Sequence, residues 1–154
     1  MTIRPAGRIV ALPASARIIP LPFPAGREEG VLLQIASRRY DTIVVATPVG
    51  RIDQAAAAPF EQALSPHLAD DNVEALVLDF GGVEYISSIG LRVLMVASKA
   101  LRKRKARIAV AAMRPVVAEI FKISRFDAVV EVFPSLRGAL GVLSPVARDA
   151  YDAG

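Results

Sequence analysis

Cysteine is absent from the 154 residues, which excludes disulfides and thiolate chemistry and is compatible with a cytoplasmic protein. Histidine occurs once, as His67. That imidazole falls on a helical stripe far from any nucleophile turn, so a Ser-His-acid triad is not expected and the chain reads as a non-enzyme. No Gly-x-x-x-x-Gly-Lys-Ser/Thr loop and no Cys/His group of metal-ligand spacing is present, so neither a cofactor nor a metal is expected. No apolar stretch approaches the ~20 residues of a spanning helix, which argues against a membrane span. Charge of one sign is also scarce. The net +4 suggests an acidic partner surface only slightly. The basic run from Lys99 to Arg107 has no interleaved aromatics, and opposition to a helix dipole accounts for it without direct nucleic-acid binding.

Hydrophobic residues make up 53% of the chain and charged ones 22%, the balance of a folded domain, and the length suits one core. Residues 1–30 differ from the rest. Pro5, Pro13, Pro20, Pro22 and Pro24 repeatedly remove backbone donors, so a mobile Pro-rich extension is expected there. Arg4 and Arg8 before Ile9-Val10-Ala11-Leu12 faintly imitate an export signal, but Pro13 ends the apolar run early.

From residue 31 the segments shorten and alternate. Residues 31–37 and 42–46 read as strands around a polar turn at 38–41. Phe60, Ala63, Leu64, His67 and Leu68 recur at helical spacing over 58–68, which places Pro59 in the first turn. Residues 73–80 form an almost unbroken apolar run, as in a central strand covered on both faces. A helix follows over 88–104, with Leu91, Leu94, Met95, Ser98 and Leu101 on one stripe and Val93, Val96 and Ala100 on another. A strand over 107–112, a helix over 115–123, a strand over 128–133 and a helix over 135–143 complete the pattern. The chain is therefore expected to form a single α/β domain over 31–144, followed by a C-terminal tail at 145–154. Its sheet is mixed and mainly parallel, with about five strands and about four helices packed on it.

The chemistry concentrates in Asp79-Phe80-Gly81-Gly82-Val83-Glu84-Tyr85-Ile86-Ser87-Ser88-Ile89-Gly90-Leu91-Arg92. An acid ends a buried strand, two glycines make a tight turn, an aromatic-aliphatic pair anchors the loop, and two serines open a helix. A serine at that place either caps the first N–H groups or holds a phosphate close to them. These residues resemble the STAS domain of sulphate transporters and anti-sigma factor antagonists. Asp79 matches the family's first acid, Tyr85-Ile86 the anchor, Ser88 the serine that antagonists have phosphorylated, and Gly90-Leu91 the end of the motif. Ser87 stands where Asp is commonest, and Ile89 where a second Ser or Thr is common. Gly50-Arg51-Ile52-Asp53 resembles the Gly-x-Leu-Asp turn before the family's first helix.

The resemblance implies a phosphorylation-controlled binding module with Ser88 as phosphoacceptor. The partner surface would comprise Arg51, Asp53, Ser87, Ile89, Gly90, Leu91 and Arg92. The implied partner is an anti-sigma factor serine kinase of histidine-kinase-like ATPase fold, with a serine phosphatase as a further one. Asp53 is equally readable as a helix cap, and Arg92 as a solvated arginine. A second reading makes the chain a non-catalytic subunit or scaffold of a transporter or stress-signalling assembly, with Ser88 only a cap.

Overall fold

The computed structural model describes residues 33–154, so the expectations for the Pro-rich extension lie outside it. Strands β1 (Gln34–Tyr40) and β2 (Ile43–Ile52) form an antiparallel hairpin. Helix α1 (Gln54–Ala69), strand β3 (Ala75–Asp79), strand β4 (Val83–Ile86) and helix α2 (Ser88–Lys103) follow. Next come β5 (Arg107–Ala111), α3 (Pro115–Ile123), a 3-10 turn (Phe126–Ala128), β6 (Glu131–Phe133), α4 (Leu136–Leu143) and α5 (Pro145–Ala153). The sheet runs β1-β2-β3-β5-β6, parallel beyond the opening hairpin. The C-terminal part of β2 bulges away from β3 and pairs with β4.

Side-chain alternation divides this sheet between two cores. Val44, Ala46, Leu76, Leu78, Ile108 and Val110 face α1, α2 and α3. Their neighbours Ile43, Val45, Ala75, Val77, Ala109 and Ala111 face α4 and α5. Both faces of β3 and β5 are thus covered, which is why their sequences read as continuous apolar runs. Alanines at three positions of the second face leave room for Ala139 and Leu140 of α4.

Several boundaries depart from expectation. The hairpin turn is tighter than 38–41: Asp41 adopts φ 60°, and the strands extend to Tyr40 and from Ile43. Pro59 is not in a first turn. Asp53 caps α1 by accepting the Ala56 N–H at 3.1 Å, so the helix starts at Gln54 and carries both Pro59 and Pro66 inside it. Each proline removes one helical bond, and burial of Ala56, Phe60, Ala63 and Leu64 holds the helix against that loss. The Val83–Ile86 segment, expected as loop, is a strand because β2 offers it a pairing edge. Only Glu131–Phe133 of the expected 128–133 strand pairs with β5. Residues expected as a tail form α5, whose buried Ala147 and half-buried Tyr151 pack on the second face, Tyr151 edge-on to Tyr40 with ring centroids 5.6 Å apart.

Candidate functional site

The site is built where β2, β4 and α2 meet. Gly50 takes φ 121°, a conformation that glycine adopts freely, and its N–H donates to the Gly82 carbonyl at 2.9 Å. The turn sets Arg51 opposite Tyr85 and Ile52 opposite Ile86. Arg51 then lies over the Tyr85 ring, 4.6 Å from its centroid, a cation–π contact that orders the loop. Asp79 receives the Gly81 N–H at 3.0 Å, and Arg114 donates to the Gly81 carbonyl at 2.9 Å. The first acid of the motif therefore organises the turn.

Helix α2 opens on two serines with different tasks. Ser87 is the N-cap: its Oγ accepts the Gly90 N–H at 3.3 Å, while its own N–H donates to the Ile52 carbonyl at 2.9 Å. The capping role considered for Ser88 thus belongs to Ser87. Ser88, at the first helical position, is exposed, and its Oγ makes no hydrogen bond to a described residue. The N–H groups of Ser88 and Ile89 have no partner within the helix, and the positive end of its dipole lies there.

Gly90 explains how the two loops come so close. A β-carbon on it would stand 2.7 Å from Ile86 Cγ1, 2.8 Å from Ile52 Cγ2 and 3.1 Å from the Ile52 carbonyl oxygen. Only glycine lets the first turn of α2 rest on β2 and β4 in this way. Gly90 and Leu91 are buried, so the two shape the expected partner surface from beneath. Asp53 is half-buried and occupied in capping α1. Arg51, Ser88, Ile89 and Arg92 are exposed and remain available for contact.

A family model described as the STAS domain matches residues 34–139. The chain belongs to that family. BtrV of Bordetella bronchiseptica, whose name places it among the anti-sigma factor antagonists, is 31% identical over 102 residues, covering 66% of this chain and 84% of BtrV. The crystal structure of an anti-sigma factor antagonist from Mycobacterium paratuberculosis superposes with a TM-score of 0.68 at 27% identity. That match covers 75% of this chain and 97% of the other. SpoIIAA, a Bacillus anti-sigma factor antagonist solved in its unphosphorylated form, shares the fold with a TM-score of 0.59 at 16% identity over 71% and 95% of the two chains. It has also been solved in its phosphorylated form.

Within this STAS domain, sequence reasoning missed part of the surface next to the serine. Val96, read on a stripe with Val93 and Ala100, is 50% exposed, and Ile89 in the first turn of α2 is 39% exposed. Both line a shallow groove between α1 and α2 with Ala57, Ala58, Glu61 and Arg92. The cations at 92, 99 and 103, which flank Val96 on the same arc of helix, were the signal for an outward face. His67 is half-buried near the far end of α1, remote from the serine pair in the fold, and supports no triad. Among the described residues no group of His, Cys, Asp or Glu has the arrangement of a metal site, and no helix is long and apolar enough to cross a membrane.

Proposed function

We propose that the protein is a phosphorylation-controlled anti-sigma factor antagonist, a binding partner and kinase substrate without catalytic activity of its own, acting in the cytoplasm. Its unphosphorylated form binds an anti-sigma factor that is also a serine kinase, which frees a sigma factor. Phosphorylation of Ser88 ends that binding, and a serine phosphatase restores it. The observation that carries this reading is the division of labour at the start of α2. Ser87 satisfies the cap, leaving the Ser88 hydroxyl exposed. The likeness to BtrV and the existence of SpoIIAA in both phosphorylation states support it further.

The physical consequences follow from the place of the hydroxyl. A phosphate there carries roughly −1.5 to −2 charges and lies against free N–H groups and a positive dipole end. The domain tolerates it. A docked partner must instead desolvate the dianion, and an acidic group 4 Å away is repelled by about 4 kcal/mol per unit charge at an effective dielectric of 20. Even after screening, that weakens binding about a hundredfold or more.

Incubation with ATP and the serine-kinase anti-sigma factors encoded nearby, followed by intact-protein mass spectrometry, tests the reading. One added phosphate is expected on the native chain and none on S88A. The S88A variant should bind the kinase constitutively and S88D only feebly. Equal binding by both variants, or phosphate transfer to another residue, would refute the assignment.

A further inference from the structure

We infer that the outward stripe of α2 is the seat for an acidic amphipathic helix of the binding partner. The inference shares the face described above and relies on the Ser88 reading only for its regulation.

Successive residues of a helix are turned by about 100°, which gathers Ser88, Ile89, Arg92, Val96, Lys99 and Lys103 onto one arc. All six are exposed. Arg92, Lys99 and Lys103 make no ion pair with any described residue. Across the groove α1 contributes a single carboxylate, Glu61, and the small side chains of Ala57 and Ala58. The face therefore combines two accessible aliphatic side chains, a surplus of fixed cations and a trough between helices. Ridges of a third helix fit such a trough. An apolar stripe on that helix covers Ile89 and Val96, and carboxylates flanking it meet Arg92, Lys99 and Lys103. Nucleic acid fits less well, because no aromatic on the stripe offers a base a stacking surface.

The same geometry gives the serine a second means of control. Ser88 and Arg92 stand four residues apart, the spacing at which helical side chains interact. A phosphate on Ser88 engages Arg92, withdrawing that cation from the partner's carboxylates while adding repulsion of its own.

The test uses the full chain, ¹⁵N-labelled, titrated with two synthetic helical peptides that share one leucine stripe, flanked by glutamates in one and lysines in the other. The glutamate peptide is expected to shift the amides of Ile89, Arg92, Val96 and Lys99 and to bind at least tenfold more tightly than its lysine twin. K99E/K103E should invert that order, and V96D should weaken the glutamate peptide at least tenfold while leaving the circular dichroism spectrum unchanged. The inference fails if both peptides bind equally, if the shifts map to another face, or if a single-stranded oligonucleotide outcompetes the glutamate peptide. S88D separates the two readings. Loss of the glutamate peptide supports both, whereas a retained acidic preference with undiminished binding to S88D upholds the docking face and overturns its control by Ser88, leaving the kinase assay to decide the switch itself.

Discussion

At the C-terminal end of α2, Arg104 reaches the end of α1 and the segment after it, donating to the carbonyls of Val73 at 2.8 Å, His67 at 3.2 Å and Leu68 at 3.3 Å. At the N-terminal end, Ser88 and Arg92 reach nothing among the described residues. Both ends of the helix are rich in polar side chains, yet one end spends them on closing the fold and the other keeps them open. Buried or half-buried carbonyls that have left water need donors, and Arg104 meets that need for the end of α1. The N-terminal end needs only one cap, and Ser87 supplies it. Its other polar groups remain free because the fold does not call on them, which is the condition for using them in recognition.

This contrast predicts a graded set of outcomes. Replacing Arg104 with alanine removes the side-chain donor from the Val73 and Leu68 carbonyls and leaves His67 only its bond from the Asp70 N–H, which should destabilise the domain by about 3 kcal/mol in urea melts. A loss below about 1 kcal/mol would show that water replaces the guanidinium there. G90A should cost about 2 kcal/mol, since the new methyl group meets two buried isoleucines and a carbonyl with little freedom to retreat. The serine pair should divide sharply. S87A should lose about 1 kcal/mol with the cap, and S88A should stay within about 0.5 kcal/mol of the parent. Equal losses would mean that the two hydroxyls share the capping task.

The smallest effect concerns the opposite face of the sheet, where Arg137 of α4 holds Asp152 of α5 through bonds of 3.0 Å. The guanidinium keeps the Asp152 carboxyl below its ordinary value of 3.8. A depressed carboxylate contributes stability that is present above the ordinary value and lost as pH falls through the lower folded one. Acidification below 3.8 should therefore loosen α5, read as faster amide exchange in residues 145–153, and D152N should remove that pH dependence. The pair is exposed, so the change in overall melting should be slight.

Periodicity and composition were good guides wherever one helix or strand makes its own case. Residues 73–80 announced a doubly covered strand, and the spacing after Ser88 announced a helix. Pairing with a distant segment was a different matter. Val83–Ile86 is too short to declare itself and becomes a strand only because β2 bulges toward it. Asp53 and Ser87 were both legible as caps, but which of two adjacent serines would cap depended on the path of β4, fixed by the bond from the Ser87 N–H to Ile52. Pro59 misled because local helix-breaking chemistry is outweighed by burial of the α1 face.

What the amino acids alone determined is the kind of molecule: one α/β domain with an acid-glycine-anchor-serine motif at a helix start, because hydrophobic spacing and turn chemistry act over a few residues. Only the tertiary structure decided which groups are consumed and which are left over. Gly90 admits α2 onto β2 and β4, Ser87 is taken up as the cap, and the outer arc of α2 comes to face solvent beside α1. These outcomes depend on contacts between segments far apart in the chain, and no local pattern encodes the distance at which they meet.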